Sequence, residues 1–395
     1  MTTKTRPDIR IITRLVPPSG NLVQGQSELT ISPALASAAA KFIAASMNHY
    51  SPAEGDAALL RSVAENIRRM GGAETESPSA AASAQLLISH GATGALVAIA
   101  RTYLKDACAL VFEPYYPYHR RIVEECGGKT EVLSLRGEQL EIDPEELRAR
   151  CRELKERDEY PLRAIIACTP ANPTGKVFAR GELELIAEVC HELDLLCIAD
   201  EVYEHFVERS RQHLSIAHLP GMWERTVTAN SFSKSWNISG WRLGYVYGSA
   251  RLIAPLKNTL NVFYVCSPTP LQRALAEALV SETDHYDRLR ENFEAKRSYV
   301  TRALKEVGFR IYDSGSMFYI WARIPEGYAA DASELNDRLI KEAGVGAVPG
   351  SAFADGDEWD NHMRLCIARE DEMLHGAVDK LHSFFQKSLN AKSAK

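Results

Sequence analysis

The 395-residue sequence has no apolar run of the length that crosses a bilayer, which argues against a membrane-spanning helix. Met1–Pro18 holds prolines and charges but no apolar core of the kind a secretory signal needs, so none is read there. Excess charge is missing too. The 46 Lys and Arg against 52 Asp and Glu leave a net charge of −6, which gives no sign of a nucleic-acid or anionic-membrane surface. The eight cysteines form no C-x-x-C pair and stand in no metal-ligand spacing with histidine. Cys108, Cys168, Cys190, Cys197 and Cys366 lie in apolar runs, where a thiol behaves as a small hydrophobe. A reduced, cytoplasmic, metal-free protein is the expectation, and no internal repeat is visible.

What is present is length and alternation. A chain of this size can bury a large core and form two domains. Residues 1–20 mix charges and prolines without a period and read as an arm. Ser32 and Pro33 open an alanine-rich helix to about Met47, with Ser32 as N-cap and Pro33 in the first turn. His49–Gly55 breaks it, and Asp56 starts another helix through Arg69. Gly71–Ala84, rich in Gly, Ser, Ala and Glu, reads as an exposed connection.

From Gln85 onward, short apolar runs alternate with amphipathic stretches. Strands are predicted at Leu86–His90, Ala107–Phe112, Thr130–Leu135, Ala164–Thr169, Leu195–Ala199, Thr226–Asn230 and Leu243–Gly248. Helices fit between most of them, at Gly94–Leu104, Tyr118–Glu125, Pro144–Glu156 and Arg180–Leu193. This α/β pattern predicts a mostly parallel seven-stranded sheet with helices on both faces. The last two strands are joined by a loop too short for a crossover, so one of them is expected to run antiparallel. Beyond Arg251 the pattern predicts a smaller α+β domain. Its helices are His285–Val307, Ala332–Ala343 and Asp371–Leu389, its strands lie within Phe309–Ile324 and Gly344–Val348, and Lys387–Lys395 is expected to fray. The resulting division is an N-terminal arm and part of the small domain at residues 1–50, a large domain at 51–285 and a small C-terminal domain at 286–395.

Ligands of open parallel sheets bind outside the carboxyl ends of the strands, and the residues with chemistry to offer fall there repeatedly. Ser89-His-Gly-Ala-Thr-Gly94 ends the first strand and opens a helix, whose free N–H groups suit an anion if this is more than a plain turn. Glu113-Pro-Tyr-Tyr-Pro-Tyr-His119 puts aromatic rings at the next tip, for stacking on a flat ligand or for core packing. Pro170-Ala-Asn-Pro-Thr-Gly-Lys176 fixes a loop and aims Asn172 inward. Asp200-Glu-Val-Tyr203 sets a carboxylate at the end of an apolar strand, which requires a cation or hydrogen bonds beside it. Ser231-Phe-Ser-Lys-Ser-Trp-Asn-Ile-Ser-Gly-Trp-Arg242 brings an amine, Lys234, next to hydroxyls, Gly240 and Arg242, as a Schiff-base lysine beside an anion site would require. A planar ligand with a phosphate, a ring nitrogen, a phenolic oxygen and an aldehyde would use all of these groups. Pyridoxal 5′-phosphate is such a ligand.

These motifs, in this order from about Leu22 to Phe385, resemble those of the class I/II (fold type I) pyridoxal-phosphate aminotransferases. The resemblance implies that Lys234 carries the cofactor as an internal aldimine and shuttles the proton. It implies that Ser231, Ser233 and Arg242 hold the phosphate with the N–H groups of Ala92 and Thr93 beyond Gly91. Tyr116 falls on the ring-stacking position, Asp200 on the partner of the pyridinium nitrogen, and Tyr203 and Asn172 on the neighbours of the phenolic oxygen. Asn172, Gly25 and Arg364 match the substrate-binding positions, Arg364 as the clamp on the α-carboxylate. His49-Tyr-Ser-Pro-Ala-Glu-Gly55 is similar to the segment whose tyrosine, here Tyr50, reaches the phosphate of the other subunit, so a homodimer is implied. The substrates implied are an L-amino acid and a 2-oxo acid exchanged in a ping-pong cycle, with no nucleic-acid, membrane or metal partner. The sequence departs from the pattern at Gly25-Gln-Ser-Glu-Leu29, where the family commonly reads G-E-P-D-F, and at Asp313, where proline is usual. Glu28 in that covering loop suggests a partner for a cationic substrate side chain. The same scaffold can also direct β-elimination, cyclisation or oxidation in amino-acid biosynthesis, and a non-catalytic ligand-binding module is the reading from another class.

Overall fold

The computed structural model describes residues 7–45, 47–71 and 85–393. Seven apolar stretches form one sheet: β1 (Leu86–His90), β2 (Cys108–Glu113), β3 (Lys129–Ser134), β4 (Leu162–Cys168), β5 (Leu196–Asp200), β6 (Thr226–Ser231) and β7 (Leu243–Gly248). Their order across the sheet is β1-β7-β6-β5-β4-β2-β3. The strands from β3 to β6 run parallel. β7 is antiparallel to both β6 and β1, as its short connection to β6 demands.

Side chains leave each strand alternately to the two faces. Ala109, Val111, Ile166, Ile198 and Val246 pack with Leu96, Ile99 and Leu256 of the helices Gly91–Tyr103 and Ala250–Tyr264. Leu110, Phe112, Ile165, Cys197 and Ala199 pack on the opposite face with Leu147, Leu183 and Ile186 of the helices Pro144–Lys155 and Arg180–Glu192. Burial on both faces is why these strands read as continuous apolar runs. After β2 the chain moves outward to β3, then crosses back to form β4 on the other side of β2. The strand order reverses there, and the loops that follow β2 and β4 carry Tyr116 and Asn172.

The smaller sheet comprises β8 (Arg310–Ile311), β9 (Tyr319–Arg323), β10 (Val348–Pro349) and β11 (His362–Cys366), all antiparallel in the order β10-β11-β9-β8. The helices His285–Glu306, Ala332–Ala343 and Asp371–Ser393 cover it through Phe293, Val300, Leu335, Leu339, Leu374 and Leu381.

Several elements differ from the sequence expectation. Residues 9–15 form a two-turn helix, Ile9–Leu15, instead of an arm. Asp8 caps it by accepting from Arg10 N–H at 2.7 Å, and Ile12 and Val16 enter the core. A helix this short shows too few turns for a period to be read. The helix capped by Ser32 is Pro33–Ala44, ending before Met47. The expected strand region Phe309–Ile324 splits into β8 and β9, and the strand expected from Gly344 begins only at Val348. Gly344 is the left-handed residue that closes the preceding helix, at φ +64°. β11 was not expected as a strand because its polar positions, His362 and Arg364, are buried. The terminal helix runs to Ser393 where fraying from Lys387 was expected. In the predicted connection Gly71–Ala84, Gly71 ends the helix Ala57–Gly71 and residues 72–84 lie outside the described residues.

Close packing fixes where the helix after β1 begins. Gly244 of β7 pairs with Ser231 of β6 and Ser89 of β1. A methyl group added to it would lie 2.6 Å from both the Asn230 carbonyl oxygen and the Gly91 backbone carbon. Gly244→Ala is therefore expected to destabilise the fold by about 1–3 kcal/mol, seen as a lower urea-unfolding midpoint. An unchanged midpoint would show that the start of this helix does not rest on β7.

Candidate active site

The helix Gly91–Tyr103 starts without a side-chain cap, leaving its first N–H groups to a ligand. Gly91 sits at φ +65° with the Arg242 guanidinium against it, and a Cβ there would come 2.8 Å from Arg242 Nη2. Arg242 is itself left-handed, at φ +58°, and donates to the carbonyls of Ser239 at 2.9 Å and His90 at 3.2 Å. Burial, and then the Arg242 charge, hold His90 below the ordinary imidazole range. At the end of β6, Ser231 Oγ accepts from Ser233 N–H at 3.1 Å and lies 2.8 Å from Ser233 Oγ. Uncapped N–H groups, two hydroxyls and a guanidinium are the donors an anion such as phosphate needs.

Lys234 lies on the single turn Phe232–Ser235 that follows β6. Its Nζ donates to the Gly25 carbonyl at 2.5 Å and stands 6.0 Å from the Phe318 ring centre. Burial lowers its pKa from 10.5 to about 8, and Arg364, Arg242 and Arg369 add to the shift against an upward pull from Cys366. A usable fraction of neutral amine is thus present near neutral pH.

Asp200 ends β5 as a buried carboxylate, and its Oδ2 meets His119 Nε2 at 2.7 Å. Val202 N–H donates to Oδ1 at 3.3 Å. The partner expected beside Asp200 is thus an imidazole within the chain, and no lysine or arginine pairs with it among the described residues. The Tyr116 ring stands perpendicular to His119, with centroids 5.3 Å apart and an interplanar angle of 90°, and stacks on Tyr118 at 5.3 Å and 13°. Tyr203 and Tyr319 share a hydrogen bond of 2.8 Å between hydroxyls. Burial raises both phenols, Tyr319 to about 12.

Arg364 is 2% exposed. Nη1 donates to Asn172 Oδ1 at 2.9 Å and Nη2 to the Val23 carbonyl at 2.6 Å, while the rings of Tyr319 and Phe353 flank the guanidinium at 4.6 and 4.9 Å. Its buried Nε has no hydrogen-bond partner among the described residues. A buried cation with an open N–H suits a carboxylate.

The structure therefore brings Gly91, Ala92, Thr93, Tyr116, Asn172, Asp200, Tyr203, Ser231, Ser233, Lys234, Arg242, Gly25 and Arg364 to the strand ends and to the loop above them. Tyr50 is apart from this set, 82% exposed on the surface. Three residues have a larger part than sequence reasoning gave them: His119, Tyr319 and Arg369. Arg369 is fully buried and holds the covering loop by its backbone, donating to the carbonyls of Asn21 at 2.7 Å, Gln24 at 2.8 Å and Gln26 at 2.6 Å. Glu28 Oε2 lies 3.4 Å from Arg369 Nε, so that carboxylate is already engaged and the suggested pairing with a cationic substrate is not supported. Asp313 pairs with Arg211 at 2.7 Å, away from the amine. Gly25 is required where it stands, since a Cβ would fall 2.1 Å from the Tyr319 hydroxyl.

The family model for aminotransferase class I and II matches residues 19–381. A probable N-succinyldiaminopimelate aminotransferase of Mycobacterium tuberculosis is 32% identical over 374 residues, 91% of each chain. An aspartate aminotransferase of Pyrococcus abyssi is 31% identical over 85% of this chain and 83% of its own. The solved N-succinyldiaminopimelate aminotransferase of M. tuberculosis superposes with a TM-score of 0.87 at 31% identity, covering 96% of this chain and 97% of that one. A methionine aminotransferase of Escherichia coli also gives 0.87, at 26% identity over 95% of each chain. An amine with a lowered pKa beside an anion cradle, a buried carboxylate and an open guanidinium thus sits in a fold type I scaffold, and the chain belongs to the class I and II aminotransferases, the pyridoxal 5′-phosphate-dependent enzymes that exchange an amino group between amino and 2-oxo acids.

Proposed function

We propose that this aminotransferase uses Lys234 as its cofactor-bearing amine and proton carrier, and Arg364 as the clamp on the substrate α-carboxylate. The observation that carries the reading is the unpaired, buried Nε of Arg364 beside Asn172. The remaining groups fit the cofactor. The uncapped helix start with Gly91, Ala92 and Thr93, together with Ser231, Ser233 and Arg242, would hold its phosphate. Asp200 would hold the ring nitrogen, Tyr203 and Asn172 the phenolic oxygen, and Tyr116 the ring face. When bound, the cofactor supplies an electron sink that acidifies the substrate Cα–H.

The chain's own residues do the rest. His119 fixes the Asp200 carboxylate so that its charge faces one position. Lys234 Nζ, neutral in part at working pH, takes the Cα proton and later returns one. Arg364 and Asn172 orient the carboxylate so that the Cα–H bond points toward Nζ. Arg369 keeps the loop of residues 21–26, and with it Gly25, over the amine. One clamp serves amino acid and 2-oxo acid in turn, so ping-pong kinetics follow.

A homodimer accounts for Tyr50, 82% exposed, and for the apolar Val262, Phe263 and Val265, exposed at 80, 54 and 47%. Tyr50 would then reach the neighbouring site, and sedimentation giving a monomer at working concentration would overturn this. A reduced, cytoplasmic setting suits eight unpaired cysteines, and none of the helices among the described residues is long and apolar enough to cross a membrane. The two sheets, the larger formed by strands between Leu86 and Gly248 and the smaller by strands between Arg310 and Cys366, support the division at residues 50 and 285.

Incubation with 2-oxoglutarate and a panel of amino acids is expected to yield glutamate. The panel should include the donors named for relatives: N-succinyldiaminopimelate, aspartate, aromatic amino acids, kynurenine and methionine. Ammonia or peroxide in place of glutamate would favour another reaction at Cα or Cβ. Lys234→Ala is expected to abolish glutamate formation and the borohydride-fixed cofactor mass on its peptide. Arg364→Lys is expected to keep that mass and lose on the order of 100-fold in kcat/KM. An unchanged kcat/KM would remove Arg364 from its role.

A further inference from the structure

Glu201 and Glu204 alternate in sequence with the site residues Asp200 and Tyr203, yet their side chains enter a separate cavity. His213, His218 and Tyr247 line it too, and at about 10 Å³ it has room for roughly one water-sized sphere. Glu201 is fully buried, Glu204 is 5% and His213 9% exposed. One ligating atom from each of these three residues lies within 4.8 Å of the other two. Glu201 Oε1, both ring nitrogens of His213 and Nε2 of His218 are buried without a hydrogen-bond partner among the described residues.

The charge is also unbalanced. Among the described residues no lysine or arginine pairs with either glutamate. Their neighbours are imidazoles and phenols: His213 at 3.4 Å and Tyr247 at 3.4 Å from Glu201, His205 at 3.2 Å and Tyr245 at 3.1 Å from Glu204. Two buried carboxylates without a strong cation are costly. Among the described residues no lysine or arginine brings positive charge to this cavity.

We propose that Glu201, Glu204 and His213, with His218 lining the same cavity, form a structural site for a divalent transition cation of the zinc class, separate from the catalytic centre. Carboxylate and imidazole donors suit zinc, whereas an all-oxygen set would suit calcium or magnesium. The hydroxyls of Tyr247 and Tyr245 donate to the carboxylates and so orient them, as ligand-supporting groups do. Glu201 and Glu204 belong to the segment that follows β5, whereas His213 and His218 come from the stretch leading toward β6. An ion between them ties that stretch to the segment carrying Asp200 and Tyr203. The three ligands, two glutamates and one histidine, include no cysteine and do not form a C-x₂-C or H-x₃₋₅-H pair, which is why sequence spacing gave no metal signal.

The test is zinc retention by the holoenzyme after equilibrium dialysis, measured as metal per chain and as the zinc-dependent rise in melting temperature. Wild type is expected to retain one equivalent more than the Glu201→Gln/His213→Asn double variant, and only wild type should gain melting temperature. In zinc-soaked wild-type crystals the anomalous difference peak is expected among Glu201, Glu204 and His213, a readout that does not depend on the variant folding. Equal retention by wild type and variant, or no anomalous peak among these three residues, would overturn the proposal.

Discussion

Four cations converge on one small volume with hardly a carboxylate to neutralise them. Arg242 is held by the carbonyls of Ser239 and His90, Arg364 by Val23 and the Asn172 amide, Arg369 by three loop carbonyls, and Lys234 by Gly25. Among the described residues, only Arg369 of these four approaches a carboxylate, that of Glu28 at 3.4 Å. Carbonyl oxygens satisfy the donors without cancelling the charge, so the field remains for ligands that bring their own anions. A phosphate at one end and an α-carboxylate at the other would supply them, and the amine between them is pushed toward its neutral form. The fold serves this arrangement. β6 and β7 deliver Lys234 and Arg242, the smaller sheet delivers Arg364 on β11, and the N-terminal loop bridges them.

The large sheet was legible in the sequence because its strands are buried on both faces, leaving unbroken apolar runs between amphipathic helices. The positions of Lys234, the Gly91 turn and Asp200 were legible because each falls within a few residues of a strand end, where spacing carries meaning. Residues whose role depends on distant partners were not. His119 meets Asp200 across 81 positions and Arg369 meets Asn21 across 348, and neither pairing leaves a local trace. β11 was hidden by the same cause: the polar side chains of His362 and Arg364 are buried by partners elsewhere in the chain, so its pattern is not that of a half-buried strand. Glu28 looked free for a substrate only because Arg369 is invisible to local reading.

The segment after β5 shows how one stretch serves two environments. Asp200 and Tyr203 pair with His119 and Tyr319, while Glu201 and Glu204 line a separate cavity with His213. Both sides depend on buried ionisable groups that only specific partners can hold in place. Order in one is therefore order in the other, and the position of the Asp200 carboxylate rests on packing well behind the substrate.

The central claim is that burial among cations, without a neutralising carboxylate, sets the Lys234 amine apart from every surface lysine. Competitive labelling of the cofactor-free enzyme with an amine reagent, read peptide by peptide across pH, measures this directly. Lys234 is predicted to reach half its limiting reactivity at about pH 8, against roughly 10.4 for a free lysine amine. A Lys234 titration that coincides with the exposed lysines would contradict the account.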